Sequence, residues 1–79
     1  MDAVSCSPSR VETIIAATLY LMNAYRRTGC SRLAACVAAH LVYLTRHQDA
    51  DPLIRAVCLE MTDEWRTVAE TSQPCQAVH

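Results

Sequence analysis

The sequence predicts an all-α domain, folded as an antiparallel up-down-up three-helix bundle. The 79 residues include one glycine, three prolines and no phenylalanine, whereas alanine, a strong helix former, is abundant. Apolar residues recur at steps of three and four along three segments, which is the period of a helix with one buried face. Short links between these segments favour side-by-side packing of consecutive helices in opposite directions.

The first helix is predicted over residues 9–28. Ser9 and Glu12 have the spacing of a capping box, in which each side chain accepts a hydrogen bond from the other residue's backbone N–H. Gly29 can adopt the left-handed conformation that ends a helix, and the two arginines just before it suit the negative end of the helix dipole. The predicted core positions are Val11, Ile14, Ile15, Thr18, Leu19, Met22 and Tyr25.

The second and third helices are predicted over residues 32–47 and 52–70. Ser31 is the predicted cap of helix 2. Asp51 followed by Pro52 is the strongest start signal in the chain, because proline suits the first helical position. We expect helix 3 to be an ordinary surface helix with one polar side. The predicted core stripes are Leu33, Val37, Leu41 and Leu44 in helix 2 and Ile54, Val57, Cys58, Met61, Trp65 and Val68 in helix 3.

Length and charge limit the domain organisation and the partners. Residues 1–79 suffice for a single small domain, with tails predicted at 1–8 and 71–79. Seven Lys plus Arg against eight Asp plus Glu give a net charge of −1, so neither a nucleic acid nor an anionic membrane is an expected partner. The uncharged run 13–25 is shorter than the roughly 20 apolar residues that cross a bilayer. Five cysteines, an odd number without a signal-peptide pattern, predict the reducing cytoplasm.

Helix 2 is predicted to be apolar on two sides. Opposite its core stripe, no Asp, Glu, Lys or Arg lies between Arg32 and Arg46. Alanines there allow close approach of another helix, and tyrosines are enriched where proteins meet. Three short helices also bury only a small core, which self-association would extend. The predicted partner interface consists of Tyr20, Arg32, Ala35, Ala39, Val42, Tyr43 and Arg46.

No pattern indicates an enzyme. A single glycine excludes a glycine-rich phosphate loop, and the Ser, Cys and His residues suggest no catalytic triad. Glu60, Asp63 and Glu64 on helix 3 are interpreted as a solvated acidic face. We therefore expect a non-enzymatic protein–protein interaction module of adaptor or inhibitor type. It would form a homodimer through the outer face of helix 2, with no catalytic residue, cofactor or metal.

Two alternative functions would each use a different set of residues. A thiol- or zinc-dependent regulator would use Cys30, Cys36, His40 and Cys58, although Cys36 and Cys58 are more simply core residues and Cys30 an exposed loop thiol. A helix-turn-helix nucleic-acid binder would use residues 24–34 with their arginines. The second helix of that motif would then present alanines to the base edges, where polar groups are needed.

Overall fold

The computed structural model describes residues 10–72 and contains three helices in that part of the chain. These are α1 (Val11–Thr28), α2 (Ser31–Arg46) and α3 (Pro52–Thr71). The described residues form no strand, so the all-α prediction is confirmed, with bounds that differ by one or two residues. The predicted tails lie outside the described residues, except that Thr71 ends α3 and Ser72 follows it.

Helix α2 lies between the other two helices. It packs against both α1 and α3, whereas α1 and α3 approach each other at few points. Where they do meet, the Tyr25 ring stands edge-on to Trp65 at a centroid distance of 5.5 Å, and its hydroxyl shares a hydrogen bond with Ser72. These contacts join the C-terminal part of α1 to the C-terminal part of α3 and the residue that follows it. The buried residues of α2 are Ala34, Val37, Ala38, Leu41 and Leu44.

Two of the predicted helix boundaries are confirmed in atomic detail. Gly29 has φ 69° and its N–H donates to the Tyr25 carbonyl at 2.6 Å, the left-handed end of a helix that favours glycine. The Asp51 carboxylate accepts a hydrogen bond from the Leu53 N–H at 3.3 Å, and Pro52 is the first residue of α3. Both signals depend on backbone geometry within a few residues, which the local sequence determines.

The two predicted serine caps are wrong. Helix α1 begins at Val11 with Arg10 in place of Ser9 at the cap position, and the Arg10 side chain makes no capping hydrogen bond. Ser9 itself lies outside the described residues. Ser31 is the first residue inside α2, and Cys30 occupies the cap position. The α1–α2 link has only two residues, so the last residue of α1 acts in place of a serine. The Thr28 hydroxyl accepts the Cys30 N–H at 3.2 Å.

Buried polar side chains are satisfied within their own helices. The Thr18 hydroxyl donates to the Ile14 carbonyl at 2.7 Å, and the Thr62 hydroxyl donates to the Cys58 carbonyl at 2.7 Å. Because each hydroxyl bonds one turn back, threonine can occupy the core without an unpaired donor. The predicted core position of Thr18 is thereby confirmed.

The stability of the fold should depend on the fully buried side chains of this core and not on the exposed apolar side chains at its edge. Leu44 is 2% exposed, whereas Leu53 is 70% exposed. We expect Leu44→Ala to lower the free energy of unfolding by about 2–5 kcal/mol, and Leu53→Ala by less than about 0.5 kcal/mol. Urea unfolding of dilute protein measures both. Equal losses for the two variants would contradict the packing described above.

Candidate interaction surfaces

The outer face of α2 is exposed and carries no charge between its ends. We use that name for Arg32, Ala35, Ala39, Val42, Tyr43 and Arg46. Ala35 and Ala39 are exposed, Val42 is partly buried, and Tyr43 is 51% exposed. The two arginines are also exposed and lie 14 residues apart, about 21 Å along the helix. The structure therefore leaves a long uncharged stripe accessible to a partner.

This face continues into a shallow groove between α2 and α3. The groove has a volume of about 350 Å³. Its lining residues are Ala35, Ala38, Ala39, Val42, Arg66, Ala69 and Glu70. Sequence reasoning missed the contribution of α3, because the helical period places residues around one helix but not the neighbour beside them. Tyr20 on α1 is 73% exposed but does not line this groove.

A second apolar surface lies on the opposite side of α2. We call it the apolar groove, an open cavity of about 300 Å³ lined only by apolar side chains. Its floor includes Leu44, which lies about 180° around α2 from Ala35 at 100° per residue. The lining residues are Ile15, Leu19, Met22, Leu41, Leu44, Leu53, Ile54, Val57, Cys58 and Met61.

The rim of the apolar groove corrects two sequence-based expectations. Leu19 and Val57 were predicted in the core, yet they are 60% and 44% exposed. Helix 3 was expected to be an ordinary surface helix, yet Leu53 on this rim is largely exposed, and so is Leu59, which lies outside the groove. The physical reason is the central position of α2, which separates α1 from α3. Among residues 10–72, the outer edges of the apolar stripes on α1 and α3 therefore have no neighbour.

The residues of the thiol or zinc alternative are not brought together. Cys58 is buried as predicted, whereas Cys36, predicted in the core, is an exposed free thiol. Cys30, predicted to be an exposed thiol, is buried and disulfide-bonded. The His40 Nδ1 donates to the Cys36 carbonyl at 2.7 Å. Among residues 10–72, no three His, Cys, Asp or Glu side chains are close enough to share a metal ion.

The arginines of the helix-turn-helix alternative are exposed. Arg26, Arg27 and Arg32 flank the α1–α2 link. The part of α2 that follows them exposes Ala35 and Ala39, which have no polar group to offer a base edge. Nucleic-acid binding gains no support from this geometry and stays a prediction of that alternative.

Comparisons with family models, curated proteins and solved structures found no match to this chain. In the described part of the chain, no helix combines the length and the apolar character needed to cross a bilayer. The candidate surfaces therefore rest on the geometry of this structure alone.

The two free thiols of the described residues should differ in reactivity. Burial raises the pKa of the Cys58 thiol, which lowers the fraction of the nucleophilic thiolate, whereas Cys36 is exposed. We expect iodoacetamide at pH 8 to alkylate Cys36 about tenfold faster than Cys58, or more, since Cys58 reacts only after local opening. Peptide mass mapping assigns each site. Similar rates at the two residues in folded protein would place Cys58 outside the core.

Proposed function

We propose that this chain is a non-enzymatic protein–protein interaction module, of adaptor or inhibitor type, that self-associates through the outer face of α2 to give a homodimer. One observation carries the proposal. The middle helix of the fold exposes a stripe, about 21 Å long, in which Ala39 and Tyr43 face solvent and no charged residue intervenes. Water is a poor partner for such a surface.

The chemistry of this stripe suits another protein. Alanines at positions 35 and 39 let the axis of a second helix approach closely. Tyr43 is half exposed and combines a large apolar ring with a polar hydroxyl, the combination enriched in interface cores. Arg32 and Arg46 form a charged rim, where charges set register and association rate more than affinity.

The proposed compartment is the cytoplasm. The free thiols of Cys36 and Cys58 support it, because a reducing compartment keeps thiols in that form. The disulfide at Cys30 points the other way, since such bonds are rare in the cytosol. The proposed mode of action, which depends on the surface of α2, is independent of the compartment.

Sedimentation at several protein concentrations tests self-association. Wild-type protein should shift from monomer to larger species as its concentration rises. Ala39→Glu should weaken association on the order of 100-fold, because it places an unpaired charge in a desolvated contact.

The matched control is Ala16→Glu, the same substitution at an exposed alanine of α1 that lines neither the groove beside the outer face of α2 nor the apolar groove. It should leave the sedimentation profile unchanged. A helical Ala39→Glu variant that associates as strongly as wild type would show that the wrong surface has been chosen. Wild-type protein that stays monomeric would remove the homodimer.

A further inference from the structure

A symmetric pairing of two outer faces of α2 brings like charges together. Helix α2 contains no acidic residue. If two copies of α2 pair in parallel, Arg32 meets Arg32 and Arg46 meets Arg46; if they pair antiparallel, Arg32 meets Arg46. Arg66 and Glu70, which line the adjoining groove, carry opposite charges, so the surface stays net positive. Either arrangement therefore brings two net positive surfaces together, which is unfavourable for association. The outer face of α2 therefore needs a different surface, one with carboxylates at its ends.

The apolar groove has carboxylates in suitable places. On its α3 rim, the exposed Leu53 and Val57 are followed on the same side of the helix by Glu60 and Glu64, all at steps of three or four residues. Asp51, the cap residue of α3, lies at the start of the helix next to Leu53, whose N–H its carboxylate accepts, and not on the same side of the helix as Leu53. From Asp51 to Glu64 is 13 residues, about 20 Å, which is close to the spacing of about 21 Å between the two arginines of α2.

The charges on both surfaces are available to a partner. Within residues 10–72, the carboxylates of Asp51, Glu60 and Glu64 make no salt bridge, and neither do Arg32 and Arg46. All five side chains belong to exposed residues. Pairing them across an interface would therefore not require any existing ion pair to break.

We propose that the outer face of α2 docks into the apolar groove of a second copy of this chain. Tyr43 and Val42 would cover the exposed Leu19 and Leu53 of the receiving copy, and the terminal arginines would meet its rim carboxylates. This inference rests on the proposed function, because it names the surface that receives the self-associating face.

The two surfaces lie on opposite sides of α2, so this contact joins the outer face of α2 in one copy to the apolar groove of the next copy. Such a heterologous contact leaves one free face and one free groove at the ends of every assembly. Association then continues beyond the homodimer, which becomes the first step of a series.

The dimensions of the molecule fit this stacking. It measures 37 × 31 × 14 Å along its principal axes, so its broad sides are large and its thickness is small. A broad side of this size has room for the roughly 800 Å² that each partner contributes to a standard interface.

Two variants, each altered on one of the two contact surfaces, test the proposal. Ala39→Glu damages the outer face of α2 and leaves the groove intact, whereas Leu53→Glu damages the groove and leaves the face intact. Leu53→Glu should fold, because residue 53 is largely exposed and lies in the first turn of α3, where a negative charge is favourable. Leu19→Glu, on the α1 rim, is a second variant of the same kind. Ala16→Glu remains the control, and circular dichroism checks the helicity of each protein.

We expect wild-type protein to form species larger than a dimer with rising concentration, and added NaCl to weaken them by screening the charged rims. Each variant alone should associate on the order of 100-fold more weakly. An equimolar mixture of Ala39→Glu and Leu53→Glu should give a one-to-one dimer and nothing larger. The intact face of one binds the intact groove of the other, with a dissociation constant within about threefold of wild type.

The remaining outcomes separate this inference from the proposed function. If both groove variants associate like wild type while Ala39→Glu is monomeric, or if the mixture stays monomeric, the groove is not the receiving surface and the proposed function stands. If Ala39→Glu associates like wild type, the proposed function fails and the inference fails with it. Wild-type protein that is monomeric at every concentration overturns both.

Discussion

The packing of α2 against both of its neighbours is the constraint on which the rest of the structure depends. One helix supplies the largest share of the buried side chains, from Ala34 to Leu44. Leu44 and Val37 are the largest fully buried side chains of the described residues. Because α1 and α3 meet mainly near Tyr25 and Trp65, they cannot close over the middle of α2. The core is therefore thin, and apolar surface remains on both sides of the middle helix.

This arrangement connects stability with association. A domain is normally completed by a second packed layer that covers the apolar side of the first. Here the exposed Leu19 and Leu53 border a groove that no element of residues 10–72 covers, and Ala39 and Tyr43 face solvent on the other side. A second copy that covers either side would stabilise the folded state by mass action. Folding and self-association would then share one source of free energy, the burial of α2.

The sequence was sufficient for features determined by nearby residues. Asp51 and Pro52 marked the start of α3, Gly29 marked the end of α1, and the uncharged outer face of α2 was visible in the helical period. The apolar groove was not visible, because periodicity shows that Leu19 and Val57 belong to an apolar stripe but not what covers them. The serine caps were wrong by one residue each, because Arg10 and Cys30 occupy the positions before α1 and α2. A cap motif in the sequence shows which side chains could cap a helix but not the residue at which the helix begins.

The burial and exposure of the two sides of α2 can be measured on its alanine methyl groups. In dilute protein, a soluble paramagnetic agent should broaden the NMR signals of Ala35 and Ala39 and spare those of Ala34 and Ala38. As the protein concentration rises, Ala35 and Ala39 should become protected, because a second copy covers them. Equal broadening of all four methyl groups in dilute protein, or no added protection of Ala39 in concentrated protein, would contradict this account.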